Sequence, residues 1–155
     1  MKTTTILRKA AAMLFALMLV MTYSCDSGID IDDTDYPDAL IIRELPKLTI
    51  MGKHLESVVI NSQQELESVF NDTELQREES LAAIDFSKYT LLLGYGTYGN
   101  EVSTMEHYYA KIGKGSYRYL IEISGLATQP DAFRYGVIVP KLPKTAKVTF
   151  EIEKL

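Results

Sequence analysis

The sequence has one cysteine, no tryptophan and two histidines among its 155 residues. One cysteine cannot form a disulfide within the chain, so a folded domain of this sequence depends on its hydrophobic core for stability. The histidines, His54 and His107, are not at a spacing that places two metal ligands on one face of an element. The sequence therefore predicts neither a metal site nor a cofactor.

The sequence also lacks an apolar run long enough to span a bilayer comfortably. Its longest run, Ala10–Met21, has 12 residues and follows Lys2, Arg8 and Lys9. A positive segment followed by a short apolar one is typical of a secretory signal peptide. The net charge of −5 would repel phosphate backbones, so the composition disfavours nucleic-acid binding.

The cysteine stands shortly after this apolar run. Ser24 directly precedes Cys25, an order that resembles the lipobox of Bacteroidetes lipoproteins. The resemblance implies that residues 1–24 are a lipoprotein signal peptide and that Cys25 is lipidated. A lipoprotein cysteine would carry several acyl chains, which anchor a protein stably to a membrane. The alternative is an ordinary cleavage site beside an unmodified thiol.

Residues 25–38 have the composition of a tether. Six aspartates and no basic residue occur in Asp26–Asp38, together with Gly28 and Pro37. Like charges repel one another and favour an extended segment. The alternating aspartates also suggest a calcium loop, but the glycine and the final glutamate of an EF-hand are missing. The segment resembles the surface-export signal of Bacteroidetes lipoproteins, which implies a lipid anchor in the outer membrane and a position on the cell surface.

Residues 39–155 are predicted to form a single domain. The segment Ser62-Gln-Gln-Glu65 matches a capping box, and Leu66, Val69 and Phe70 follow at helical spacing. We therefore predict a helix that begins at Ser62 and ends at Asn71-Asp72. A second helical turn is predicted near residues 75–81.

The rest of the domain is predicted to be strand. In the last segment, Val148, Phe150 and Ile152 alternate with polar residues, which is the period of a half-buried strand. Gly113–Ser116 is predicted to be a hairpin turn, because glycine tolerates a positive φ. The predicted strands are Leu40–Arg43, Leu48–Met51, Leu55–Ile60, Thr90–Tyr95, Val102–Ile112, Tyr117–Ile123, Gly136–Val139 and Ala146–Ile152. This order predicts an α+β, mainly β fold, an antiparallel sheet or partly open barrel with one short helix packed beside it.

The order of elements and two short segments resemble a known family. The segments are Ile84-Asp-Phe-Ser-Lys88, before the central strand, and Val137-Ile-Val-Pro-Lys141, near the C-terminal end. From Val58 to Phe150 the chain resembles the C-terminal domain of the protease complex inhibitor PrcB. The resemblance implies a β-rich, non-enzymatic domain that acts by contact with an envelope or extracellular protein, such as a protease.

Several short patterns in the sequence partly match those of catalytic or cofactor-binding sites. Gly94-x-Gly96-x-x-Gly99 matches the dinucleotide fingerprint as a string, but the residues that follow alternate like a strand instead of opening a helix. No serine occurs in a Gly-x-Ser-x-Gly turn. Glu101, Glu106 and Glu122 could pair as glycosidase acids once the chain is folded. Because the sequence does not give the distances between these carboxylates, a hydrolase is the least favoured hypothesis. No catalytic residue is assigned.

Tyrosines are concentrated between residues 95 and 135. A tyrosine that stays outside the core offers a rigid contact surface for protein or sugar. We expect such contacts in the loops Gly94–Asn100 and Gly125–Phe133 and in the strand between them. The expected contact residues are Tyr95, Tyr98, Asn100, Tyr109 and Phe133. The sequence thus favours a surface-tethered, non-enzymatic protein-binding or regulatory module, with a glycan-binding accessory or a structural envelope lipoprotein as the alternative.

Overall fold

The computed structural model describes residues 39–81 and 84–155, so the predicted signal peptide, Cys25 and the acidic tether lie outside the described residues. The described residues confirm the mainly β class, with two short α-helices where one was predicted. The elements are β1 (Arg43–Glu44), β2 (Val58–Ile60), α1 (Gln63–Val69), α2 (Asp72–Arg77), a 3-10 turn (Glu79–Leu81), β3 (Tyr89–Tyr98), β4 (Thr104–Gly113), β5 (Ser116–Ser124), β6 (Asp131–Pro140) and β7 (Lys147–Lys154).

The strands of the described residues form two open sheets. Sheet I has the order β1-β6-β3-β2, and all of its neighbouring strands are antiparallel. Sheet II has the order β4-β5-β7. In sheet II, β4 and β5 form the predicted antiparallel hairpin, with Gly115 at φ 69° in its turn, whereas β5 and β7 run parallel. The predicted antiparallel pairing therefore holds for all neighbouring pairs of the described strands except β5 and β7.

The predicted helix at Ser62 is confirmed. The Ser62 hydroxyl accepts a hydrogen bond from the Glu65 backbone N–H at 3.2 Å and so satisfies one open donor of the first turn. The Glu65 carboxylate reaches back to the backbone N–H of Asn61, one residue before the cap, at 2.5 Å. The helix ends at Val69, and Phe70 follows in an extended conformation.

The second helix begins earlier than predicted. The first helix ends two residues before the predicted Asn71, and Asn71 instead caps α2: its side chain accepts from the Glu74 N–H at 2.9 Å. The Glu74 carboxylate accepts from the Asn71 N–H at 3.0 Å, which completes a capping box. Because both open donors are satisfied there, the helix starts at Asp72 and not near Leu75.

Sheet I is covered on both faces. One face packs against the helices, and this helix-side core contains Leu45, Leu48, Ile50, Ile60, Leu66, Val69, Phe70, Leu81, Leu91, Leu93 and Ile138. The other face packs against sheet II, and this inter-sheet core contains Leu92, Val102, Tyr109, Tyr119, Ile121, Ile123, Phe133, Tyr135, Val137, Val139 and Leu142. Leu91 and Leu93 thus point to one core and Leu92 to the other, as the alternation of a strand requires. The domain has three layers: helices, sheet I and sheet II.

Two predicted N-terminal strands are mostly irregular in the structure. Of Leu40–Arg43, only Arg43 lies in β1, and Leu48–Met51 contributes a single bridge between Leu48 and Arg134.

The outer face of β4 carries Tyr108 and Ile112, each 44% exposed, while Tyr109 faces the inter-sheet core.

Two of the three glycines in the predicted loop Gly94–Asn100, Gly94 and Gly96, lie within a strand. Gly94 is paired directly with Tyr135 of β6, and Gly96 with Phe133. The Tyr135 ring lies so close over Gly94 that a Cβ there would overlap it. The missing side chains therefore make room for aromatic rings in the inter-sheet core, and the strand extends to Tyr98.

Candidate binding groove

A groove runs beside β4 at one edge of the domain. It has a volume of about 520 Å³ and is lined by residues 39–41, by residues 107–110 of β4 and by Arg118 of β5. β4 is an outer strand of sheet II, and it pairs with β5 along its other side. Leu40 is 62% exposed and Tyr108 is 44% exposed, so the groove presents apolar surface to a ligand.

Tyr109 lines this groove with its side chain almost entirely buried. It is 5% exposed, and its ring stacks on Tyr117 with the centroids 5.6 Å apart. Its hydroxyl has no hydrogen-bond partner among the residues that the structure describes. Burial raises the pKa of this hydroxyl, so it stays protonated and can donate. A buried polar group without a partner is costly and uncommon in folded proteins, which makes this hydroxyl the polar group most in need of a ligand.

His107, two residues earlier on the same face of β4, bonds a core tyrosine through one of its ring nitrogens. Its Nδ1 lies 2.7 Å from the hydroxyl of Tyr119, and the two rings stack. Burial lowers the pKa of His107, while the nearby Glu44 carboxylate acts weakly in the opposite direction. Burial also raises the pKa of Tyr119. The pair is therefore neutral at pH 7 and satisfies a tyrosine in the inter-sheet core.

The outer face of sheet II carries a cluster of carboxylates around Tyr108. Glu106 and Glu122 are directly opposite each other on β4 and β5. The Tyr108 hydroxyl donates to Glu106 at 2.8 Å and lies 3.3 Å from Glu122. The hydrogen bond to Glu106 is the main cause that raises the pKa of Tyr108 to about 12. Glu101 lies elsewhere, in a small pocket with Lys47 and Asp131, so two of the three glutamates considered for catalysis come together.

Two of the five expected contact residues are buried in the inter-sheet core. Phe133 is 1% exposed and Tyr109 is 5% exposed, so neither is the surface residue that was predicted. Phe133 is covered because β6, between β1 and β3 in sheet I, has both of its faces packed. Tyr109 is covered because its face of β4 points toward sheet I. Tyr109 still lines the groove, although its side chain is almost entirely buried.

The other three expected contact residues are half-buried and make internal contacts. The centre of the Tyr95 ring lies 5.9 Å from the guanidinium carbon of Arg134. The Tyr98 ring lies 6.0 Å from the ammonium of Lys154. The Asn100 amide donates to the carbonyl of Gly125 at 3.0 Å. These residues join structural elements, and they do not line the groove beside β4.

Arg134 is a central residue that was not predicted. It is fully buried within β6, on the helix side of sheet I. Its guanidinium donates to the backbone carbonyls of Met51, His54 and Glu56 and lies over the Phe70 ring at 5.7 Å. Burial lowers its pKa, but an arginine stays charged in proteins. One buried cation thus holds the irregular segment before β2 against the sheet.

The two segments that carry the family resemblance lie side by side. The Lys141 backbone N–H donates to the Lys88 carbonyl at 2.8 Å, and the Lys141 ammonium donates to the Phe86 carbonyl at 2.6 Å. Both segments therefore serve to close one end of the β3–β6 pair. This end of the sheet is distinct from the groove beside β4.

Within residues 39–81 and 84–155, no group of three or more His, Cys, Asp and Glu side chains is placed to hold a metal ion. No helix in this part of the chain is long and apolar enough to cross a membrane.

Comparison of the chain with protein families, curated proteins and solved structures finds no match.

Proposed function

We propose that the chain is an outer-membrane lipoprotein of the cell surface whose domain binds another protein without catalysing a reaction. In this proposal Cys25 carries the lipid, residues 25–38 form the tether, and the membrane is contacted through the lipid anchor. The partner is a protein of the envelope or the extracellular space. The resemblance to the PrcB C-terminal domain makes a protease the first class of partner to test.

The groove beside β4 is the proposed contact site. An extended segment can bind beside an outer strand by forming main-chain hydrogen bonds, while pockets for its side chains provide specificity. The half-exposed ring of Tyr108 and the exposed side chain of Leu40 would contact apolar groups of such a segment. Arg118, exposed at the same groove, favours a segment that carries a carboxylate or a carbonyl nearby.

The observation that carries this proposal is the buried hydroxyl of Tyr109, which has no partner within the described part of the chain. A bound segment that supplies a carbonyl oxygen would satisfy it and so recover part of the cost of its burial. Because the hydroxyl is buried, this bond requires the groove wall to move, and the segment proposed to move is residues 39–41, which also line the groove. That segment is held to sheet I at its end, where the Ile42 N–H donates to the Ile138 carbonyl at 2.8 Å.

The arrangement of ionisable groups supports a binding module over an enzyme. A general base must be able to reach the proton it removes, and His107 is already bonded to Tyr119. Glu106 and Glu122 share the Tyr108 hydroxyl on the outer face of sheet II. Each of these groups has a structural partner, so the hydrolase hypothesis stays the least favoured.

The proposal is tested by cross-linking in the native envelope, followed by affinity measurement. A photoreactive residue at Leu40 of the full chain captures the bound protein, which mass spectrometry identifies. Its affinity is then compared for the wild type, Tyr109→Phe and the control Tyr89→Phe, which lies on β3 outside the groove. Loss of one hydrogen bond should weaken binding by about fivefold to tenfold in Tyr109→Phe and leave Tyr89→Phe unchanged. Equal affinities for all three proteins would refute the proposed site.

Glycan binding is the second candidate, and the position of Tyr108 favours it. A half-exposed aromatic ring beside two carboxylates can stack on a sugar while the carboxylates accept hydrogen bonds from its hydroxyls. A glycan array separates the two functions. Binding that is lost in Tyr108→Ala and retained in Tyr109→Phe would support the glycan function, whereas the absence of any glycan ligand would remove it.

A further inference from the structure

The second outer strand of sheet II, β7, has a regular backbone along its whole length. It pairs in parallel with β5 in continuous register from Lys147 to Lys154. The Lys147 N–H donates to the Gly115 carbonyl and the Leu155 N–H to the Ile123 carbonyl, both at 2.9 Å. Alternate residues of a parallel strand bond to the same neighbour. The backbone groups of residues 148, 150, 152 and 154 therefore point away from β5, where the described part of the chain provides no further strand.

The edge of β7 lacks the backbone features that protect an outer strand from pairing, and its protection is limited to charged side chains on Lys147, Glu151, Glu153 and Lys154. Natural proteins interrupt such edges with proline, bulges or very short strands. β7 has eight residues, and it contains neither a proline nor a register shift relative to β5. Its apolar residues Val148, Phe150 and Ile152 face the inter-sheet core, yet each is only half-buried. A strand added beside β7 would cover them.

The sequence of β7 is complementary to itself when two copies run antiparallel about Phe150. In that register Lys147 of one copy lies opposite Glu153 of the other, and this pair occurs twice because of the two-fold axis. Val148 lies opposite Ile152, which joins two apolar side chains, again twice. Opposite charges and apolar pairs directly across strands are the stabilising ones. Of the two neighbouring registers, the one centred on Glu151 would place Glu151 opposite its own copy, which is unfavourable. The one centred on Thr149 would pair only residues 147–151 of each strand, whereas the register centred on Phe150 pairs residues 147–153.

We propose that two copies of this chain associate through antiparallel pairing of their β7 strands, centred on Phe150. The pairing joins the two copies of sheet II into one continuous sheet. β7 and β4 are the opposite outer strands of sheet II, so the dimer leaves the groove beside β4 accessible in both copies. A dimer of this kind would present two grooves at once, and a partner with two binding segments would be held by avidity.

Charge reversal provides the first test. Lys147 and Glu153 are both exposed, so each can be changed with little effect on the fold of one copy. The full chain, solubilised in mild detergent, is followed by analytical ultracentrifugation over a range of concentrations. Lys147→Glu or Glu153→Lys alone should weaken dimerisation by about tenfold, because two attractive pairs become repulsive. The double variant Lys147→Glu/Glu153→Lys restores both pairs and should regain affinity within about threefold of the wild type.

Circular dichroism of each variant verifies that the fold is kept. A wild-type chain that stays monomeric up to about 100 μM, a weak affinity for two proteins, would overturn the proposal. A dimer that is insensitive to both single reversals would overturn it equally, because it would have to use another surface.

Cysteine trapping tests the register. In the proposed pairing, Thr149 lies opposite Glu151 of the second copy at a non-hydrogen-bonded position, where Cα atoms are about 4.5 Å apart and a disulfide can form. The full chain with Thr149→Cys/Glu151→Cys should therefore form a covalent dimer on mild oxidation. Thr149→Cys/Glu153→Cys is the matched control, because it would be linked in the registers centred on Thr149 or on Glu151 but not in the one centred on Phe150. The chain without these substitutions, whose one cysteine is Cys25, is the control for any covalent dimer formed through Cys25. A dimer formed by the control, or by neither variant, would refute the register centred on Phe150.

Discussion

The hydroxyl of Tyr119 lies 2.7 Å from Nδ1 of His107, and the two rings stack between the sheets. Tyr119 is fully buried and also contacts the rings of Tyr135 and Phe150. His107 therefore provides the hydrogen-bond partner for the hydroxyl of Tyr119, which is buried in an aromatic cluster. This relationship makes the protonation state of His107 important for the stability of the whole inter-sheet core.

The pH dependence of stability should reflect His107. Burial lowers its pKa in the folded state, so between that value and about 6.5 the unfolded chain binds more protons than the folded one. The free energy of unfolding therefore falls as the pH drops from about 7 through 6.5, and this contribution levels off below the folded pKa. Urea titrations at several pH values should show the fall in the wild type and a smaller one in His107→Gln. The exposed His54 provides the control: His54→Gln should keep the full slope.

Removal of the hydroxyls of Tyr109 and Tyr119 should change the stability of the domain in different ways. The hydroxyl of Tyr109 has no partner in the described residues, so Tyr109→Phe should leave the free energy of unfolding unchanged or raise it by about 1 kcal/mol. Tyr119→Phe breaks the bond to His107 and should lower the same quantity by about 1 kcal/mol. Chemical denaturation of the two variants under one condition measures the difference. A clear loss of stability in Tyr109→Phe would mean that this hydroxyl is bonded in the folded protein.

Gly94 should be intolerant of any side chain. An alanine Cβ there would overlap the Tyr135 ring, which is itself packed between the sheets. We expect Gly94→Ala to lower the free energy of unfolding by about 2 kcal/mol, as is usual for overpacking in a core. Gly99→Ala is the matched control, since nothing lies within 4 Å of its Cβ position, and it should change stability by less than about 0.5 kcal/mol. Similar denaturation midpoints for both variants would contradict the close packing of Gly94 and Tyr135.

Loss of the Arg134 guanidinium should be the most damaging of these changes. Replacing a buried charge by an apolar residue can be neutral when its partner is removed too, but here the partners are backbone carbonyls that remain. Arg134→Met should therefore cost about 3 kcal/mol. The exposed Arg118 is the control, and Arg118→Met should have little effect on stability. Hydrogen exchange would locate the damage: amides of residues 51–57 should lose protection first, and uniform loss would contradict this role.

The parts of the fold that follow from local rules could be predicted from the sequence. The capping box at Ser62 places α1 correctly. The period of two in β7 identifies the set that faces the inter-sheet core, Val148, Phe150 and Ile152. Both predictions succeed because the deciding contacts lie within a few residues of one another or on one face of a strand.

The parts that depend on distant contacts could not be predicted in the same way. In β4 the sets on both faces contain tyrosine, so hydropathy does not tell which face meets sheet I. The strand through Gly94 looks like a loop until the opposite Tyr135 is known. An arginine within an otherwise apolar strand indicates a buried cation, and Arg134 is such a residue. Its carbonyl acceptors lie about 80 positions earlier in the chain, so they could not be identified from the sequence.

The parallel pairing of β5 with β7 has a consequence for the order in which the domain can fold. Between these two strands the chain passes through β6, which belongs to the other sheet. Until β7 arrives, the partner of β5 is β4 alone, and an isolated hairpin is only marginally stable in water. The inter-sheet core therefore closes in a late step that needs nearly the whole domain, which is typical of slow folding dominated by long-range contacts. Variants that weaken the β5–β7 ladder should leave chains with an assembled sheet I and a sheet II still open to proteases.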